Sequence, residues 1–171
     1  MKNIMYLAVI MLVMASCEKS KKIGFIDNGV VINDYQEKKD IEAKFQLKDD
    51  AFRKRTDSIG RAFQIEVQST QVTAQKSSQK RAQELINGLQ QKQQQLQQQM
   101  QMEQQQLANE FQTEIDSVIV KVKNYVKEYG KTNAYTYILG TSDAAANVLY
   151  GTEENNLTQI ILDSLNERYK K

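Results

Sequence analysis

The sequence predicts an α+β fold, mainly α, in which a long antiparallel helical hairpin projects from a small β-body. Three observations carry that expectation. Residues 41–129 run without a proline and are rich in Gln, Lys, Glu and Ala. Within them Leu85, Leu89, Leu96, Met100, Leu107, Phe111, Val118, Val122 and Tyr129 recur at alternating steps of four and seven. That is an eleven-residue repeat over three turns, close to the natural pitch of a helix, so the side chains line one face with little supercoil. Short β-prone runs flank the stretch at both ends, so the ends must return to one place.

The chain opens with an addressing segment. Lys2 precedes an unbroken apolar run from Ile4 to Met14, followed by Ala15-Ser16-Cys17. Eleven apolar residues are too few to span a bilayer as a helix. A basic start, a short apolar core and small exit residues read as a secretory signal over residues 1–16. The cysteine at the cut resembles a bacterial lipobox, with Met14 where Leu is usual, which would make Cys17 the lipidation site. The other reading is an ordinary signal peptide with an incidental cysteine. Acyl chains contribute about 0.8 kcal/mol per buried methylene, so two or three would hold the protein to a membrane. Residues 17–22 then form the acylated cysteine and a tether, and 23–171 a single domain.

Ile23-Gly24-Phe25-Ile26-Asp27 reads as a short buried strand closed by an Asp27-Asn28-Gly29 helix-start signal. The β-body is expected to take residues 23–33 and 131–171, and the arms residues 34–130. The first arm carries Ile41, Phe45, Phe52, Ile59, Phe63, Val67, Thr70 and Ala74, with steps of seven giving way to four and three. A single rod of this length would measure roughly 130 Å. A hairpin lets each thin apolar stripe cover the other. Ser77-Ser78 is the expected turn, and Asn87-Gly88, inside the regular series, is the other place with turn chemistry. The glutamine-rich tract Gln90–Gln106 stays helical, because Leu96 and Met100 keep the phase through it. Lys76, Lys80, Arg81 and Lys92 make the turn end mildly basic.

Gly130 is expected to stop the second arm. Tyr135–Leu139 and Asn147–Tyr150 look like two strands. Asn156 and Gln159 have capping-box spacing before an amphipathic closing helix with Leu157, Ile160, Ile161 and Leu165.

Composition excludes several function classes. The chain has no histidine and one cysteine, so the commonest general base, the easiest metal ligands and any internal disulfide are missing. No catalytic residue, metal or cofactor is expected. Basic and acidic side chains nearly balance, unlike the basic excess of nucleic-acid binders. Gly130-Lys131-Thr132 resembles the end of a P-loop, but Tyr125 stands where the first glycine is required.

Laid out in this order, the chain resembles the OmpH/Skp family of periplasmic chaperones. The resemblance rests on Lys22-Ile23-Gly24-Phe25-Ile26-Asp27 with Tyr35, on Tyr135-Thr136-Tyr137-Ile138-Leu139-Gly140, on Asn147-Val148-Leu149-Tyr150 and on Asn156 through Asn166. It implies a Skp-like homotrimer in which strands of three chains build a central β-body. Ile23, Phe25, Tyr137, Leu139, Val148 and Tyr150 would be the assembly residues. It also implies an ATP-independent holdase for unfolded outer-membrane proteins in the periplasm, with no nucleic-acid partner. The candidate client-binding residues on the arms are Phe45, Phe52, Phe63, Leu96, Met100 and Met102. For single positions, packing of one arm on the other is the preferred explanation of the stripe. The competing class is a structural coiled-coil lipoprotein that acts as a spacer or adaptor in the cell envelope.

Overall fold

The computed structural model describes residues 21–142 and 147–170; the signal segment and Cys17 lie outside them. The elements are β1 (Ile23–Asp27), α1 (Asn28–Asp34), α2 (Gln36–Gln75), α3 (Gln79–Thr132), β2 (Tyr137–Thr141), a 3-10 turn (Glu153–Asn155) and α4 (Thr158–Tyr169).

Asp27 ends β1 and starts α1: its carboxylate accepts a hydrogen bond from the Val30 amide at 3.0 Å. Tyr35 then adopts an extended backbone (φ −64°, ψ 125°), which breaks α1 from α2. Tyr35 offers α2 no side-chain cap. The cap comes instead from the far end of the chain, where Asn166 Oδ1 accepts from the Gln36 amide at 2.8 Å.

The chain turns at Lys76–Ser78, the Ser77-Ser78 position, and Ser78 caps the start of α3. Asn87-Gly88 lies inside α3, where the eleven-residue phase outweighs local turn preference. The second arm does not stop at Gly130. It ends at Thr132, and Ala134 takes the left-handed conformation (φ 58°) that closes it. Gly130 has a different reason to be small. A Cβ there would stand 3.3 Å from Ile138, so the glycine lets β2 approach the helix.

The two strands pair in parallel, with Ile23 opposite Tyr137 and Phe25 opposite Leu139. Parallel pairing needs a long crossover, and here the whole hairpin is the crossover. The expected strand at Asn147–Tyr150 is not formed. The edge of β1 that a further strand would use is occupied at Phe25, whose carbonyl accepts from the Leu157 amide at 2.8 Å. Aromatic and β-branched composition alone cannot provide a ladder partner.

One sheet face, α1, the roots of the arms and α4 enclose the core: Ile26, Val31, Tyr35, Val118, Val122, Tyr125, Leu157, Ile161, Leu162 and Leu165. A Cβ on Gly24 would lie 2.6 Å from Leu157, so glycine sets how closely the two elements approach. The expected capping box is not made either. Asn156 Oδ1 accepts from the Thr158 amide at 3.1 Å, and the Gln159 side chain donates onward to Asp163 at 2.8 Å. Thr158 Oγ1 donates to Asn156 Oδ1 and accepts from the Asp27 amide at 2.9 Å, tying the closing helix to the end of β1.

Candidate functional site

Two surfaces stand out: the hairpin arms and the outer face of the sheet. Along the arms, the seam keeps the eleven-residue spacing on both helices. On α2 the seam positions are Ile41, Phe52, Phe63 and Ala74 in one column and Phe45, Thr56 and Val67 in the next. Thr56 holds a seam place that Phe45 and Val67 fill with apolar side chains, which is why the first arm reads from sequence as a heptad drifting out of phase. Phe45 is buried and packs edge-to-face on Phe111, ring centres 5.3 Å apart. Phe52, Phe63, Leu96 and Met100 are half-buried in the seam. Met102 is different: it is 67% exposed.

Five ion pairs cross the seam: Glu37–Lys121, Lys44–Glu114, Lys48–Glu110, Arg55–Glu103 and Glu66–Lys92. The two members of every pair lie equally far along the chain from Gln79. The register therefore holds along most of the hairpin without slipping by one residue. Glu37 and Lys48 are eleven apart, as are Lys44, Arg55 and Glu66, so the pairs form two columns bordering the same side of the seam. Partly exposed pairs contribute about 0–1 kcal/mol each, so their physical role is to select the register. The hydrogen bond from Lys48 holds the Glu110 carboxyl below its ordinary value, with help from Gln106.

On this charged side an open groove of about 630 Å³ is lined by Ala51, Phe52, Met102 and Leu107. The Lys48–Glu110 and Arg55–Glu103 pairs cross it. The groove brings Phe52 and Met102 together; Phe63 and Leu96 do not line it. Sequence patterning missed the other exposed aliphatics of the arms, Leu47, Ile65, Val72, Ile86 and Val120, because they fall outside the stripe.

The sheet has an inner and an outer face. Gly24 and Ile26 point into the core. Ile23, Phe25, Tyr137 and Leu139 share the other face, and Ile23, Tyr137 and Leu139 are all more than 40% exposed. A parallel sheet is ordinarily covered on both faces. Gly151 lies against the Phe25 ring, so the segment after Tyr150 crosses this face. Val148 is half-buried, whereas Leu149 and Tyr150 stand 92% and 84% exposed. Leu149, the most exposed large apolar residue among those described, was not among the assembly candidates.

Among the described residues no group of three or more His, Cys, Asp and Glu side chains gathers, and no helix is long and apolar enough to cross a membrane. The shifted phenols are structural. Burial, then the hydrogen bond to Glu37, raises Tyr35 well above the ordinary tyrosine value. The hydrogen bond to Asp40 leads the rise at Tyr169.

A register-locked hairpin stands on a small α/β body whose outer sheet face leaves Ile23, Tyr137 and Leu139 exposed. The family model for outer membrane protein (OmpH-like) matches residues 22–165, and the chain belongs to that family. Its fold is similar to that of an OmpH-like protein from Caulobacter crescentus, assigned as an outer membrane chaperone, whose crystal structure superposes with a TM-score of 0.75. The identity is 12%, over 88% of this chain and 87% of that one. No curated protein matches the chain.

Proposed function

We propose that this protein is an ATP-independent periplasmic holdase that binds unfolded outer-membrane proteins and prevents their aggregation. The observation that carries the reading is the pairing of a thin seam with aliphatic side chains left in solvent on the arms. Leu47, Ile65, Val72, Ile86 and Met102 are exposed while the arms already have their packing partners. Many weak, exchangeable apolar contacts are what a holdase needs, and several hairpins in one assembly would multiply them. Met102 adds an adaptable side chain suited to varied sequences.

The exposed Ile23, Tyr137 and Leu139 on the outer sheet face support self-assembly, and the OmpH/Skp resemblance supports a homotrimer. The lipobox supports attachment of the mature protein to a membrane through acylated Cys17. A register-locked ladder would also suit a rigid envelope spacer. The exposed arm aliphatics favour the holdase, because a spacer has no use for them.

Purified mature protein should suppress aggregation of a urea-diluted outer-membrane β-barrel at near-stoichiometric amounts, and light scattering should give the mass of three chains. Tyr137→Glu with Leu139→Glu should reduce that mass to one chain with helicity retained. Aggregation that proceeds at the same rate with and without the protein would end the holdase reading. An unchanged mass in the double variant would remove the sheet face from the assembly.

A further inference from the structure

The two sides of the hairpin differ in kind. All five cross-arm ion pairs border one side of the seam. On the other side, counted outward from the seam column that borders it, the eleven-residue columns of α2 read Thr56–Val67, Gly60–Gln71 and Gln64–Gln75. Those of α3 read Leu89–Met100–Phe111, Ala82–Gln93–Gln104 and Ile86–Gln97–Ala108. None of these residues is charged. Nearer the root, Lys38, Glu42, Asp49 and Arg53 lie on this side, and they pair within α2, not across the seam. The outer half of the hairpin therefore has one zippered, ionic side and one neutral side of amides and small aliphatics.

The neutral side is also open. Gln64, Gln71, Gln93, Gln97 and Gln104 are exposed, and their side-chain amides make no hydrogen bond among the described residues. Gly60 and Gly88 have nothing within 4 Å of where a Cβ would stand.

We infer that the neutral side of the distal arms is the face on which an unfolded client lies, as an extended, uncharged segment. This rests on the holdase reading and says where the client sits. An extended chain presents apolar side chains together with backbone N–H and C=O groups that lack partners. A glutamine amide both donates and accepts, so a file of them can satisfy such groups in any register. Ile86, Leu89, Met100 and Ala108 lie in the same columns and supply apolar contact. The opposite groove contains Phe52 and Met102, but a chain laid there would strip water from Lys48, Glu110, Arg55 and Glu103. Desolvating charges costs more than exposed pairs contribute.

The test uses the mature protein with a urea-unfolded outer-membrane β-barrel as the probe. Three variants are compared with wild type, each checked for unchanged helicity and assembly mass. The first carries Gln71→Glu, Gln93→Glu and Gln104→Glu; the second carries Lys at the same places. The third carries Ala62→Glu, Gln95→Glu and Gln99→Glu on the ionic side. Either charge on the neutral side should weaken binding about tenfold or more, and the ionic-side variant less than about threefold. A photocrosslinker at Gln93 should capture the barrel more efficiently than one at Gln99.

An ionic-side loss as large as the neutral-side loss would overturn the inference. So would tighter binding by the Lys variant, which would mean attraction by charge. Chain-to-chain crosslinks at Gln93 without client would overturn it too, by making this face an interface between copies. If wild type fails to suppress aggregation, the holdase reading itself falls and this inference with it.

Discussion

The root and the arms of this molecule are held together in different ways. At the root, Val31 and Ile161 are wholly out of solvent, and four short elements close on them. Along the arms, not one residue from Gln46 to Ser117 is buried. The arms rely on a half-buried seam and a file of exposed ion pairs. The contrast teaches that the packing that keeps the chain folded is concentrated at one end of the molecule. In the holdase proposal, a surface that must yield to many partners is thereby kept off that core.

Core truncation should break the comparison most visibly. Ile161→Ala is expected to cost about 2–5 kcal/mol, since the site is enclosed and cannot collapse fully. Leu96→Ala, in a half-open seam, should cost well under half of that in the same denaturant titration. Equal losses would mean that the arms are as closely packed as the root.

Alkaline titration gives the next effect. Tyr35 has a folded pKa above its unfolded value of 10.0, so the folded state favours the neutral phenol. Its contribution is complete below pH 10 and is lost as pH rises from there toward the folded pKa. Tyr35→Phe should flatten the fall in stability above that pH, and thermal melts across the range would record it. The ring contact with Tyr169 is kept by phenylalanine, so the change isolates the hydroxyl.

Asn166→Ala should cost about 1 kcal/mol, the usual loss of a helix cap. Amide exchange at the start of α2 should accelerate in this variant, while exchange in α3 stays as it was. That result would place control of the first arm's root in the closing helix. The smallest change should follow Arg55→Ala, expected to lower stability by less than about 1 kcal/mol and to lose even that in high salt.

Much of this architecture was legible in the sequence because a helix makes spacing visible. The second arm announced itself through Leu85 to Tyr129, and Ser77-Ser78 broke the pattern where the chain turns. The meeting of residues 23–27 with residues after the hairpin followed from two β-prone runs at the hairpin's ends. What escaped depended on partners distant in sequence. The cross-arm ladder needs the turn placed to the residue, since a shift of one would mispair every charge. Asn147–Tyr150 has strand composition, but Leu157 had already taken the edge of β1. Gly130 looked like a stop because its close approach to Ile138 exists only once β2 is in place. The surfaces proposed for client contact were the least legible. An apolar stripe marks the seam, whereas the exposed aliphatics Leu47, Ile65 and Val72, and separately the uncharged columns that carry glutamine, fall outside any stripe.

Hydrogen exchange of the mature protein, with and without a urea-unfolded outer-membrane barrel bound, tests the account most directly. The account predicts that client protects peptides between residues 46 and 117 and leaves β1, α1 and α4 unchanged. Protection concentrated in the β-body, with the arms unaffected, would contradict it.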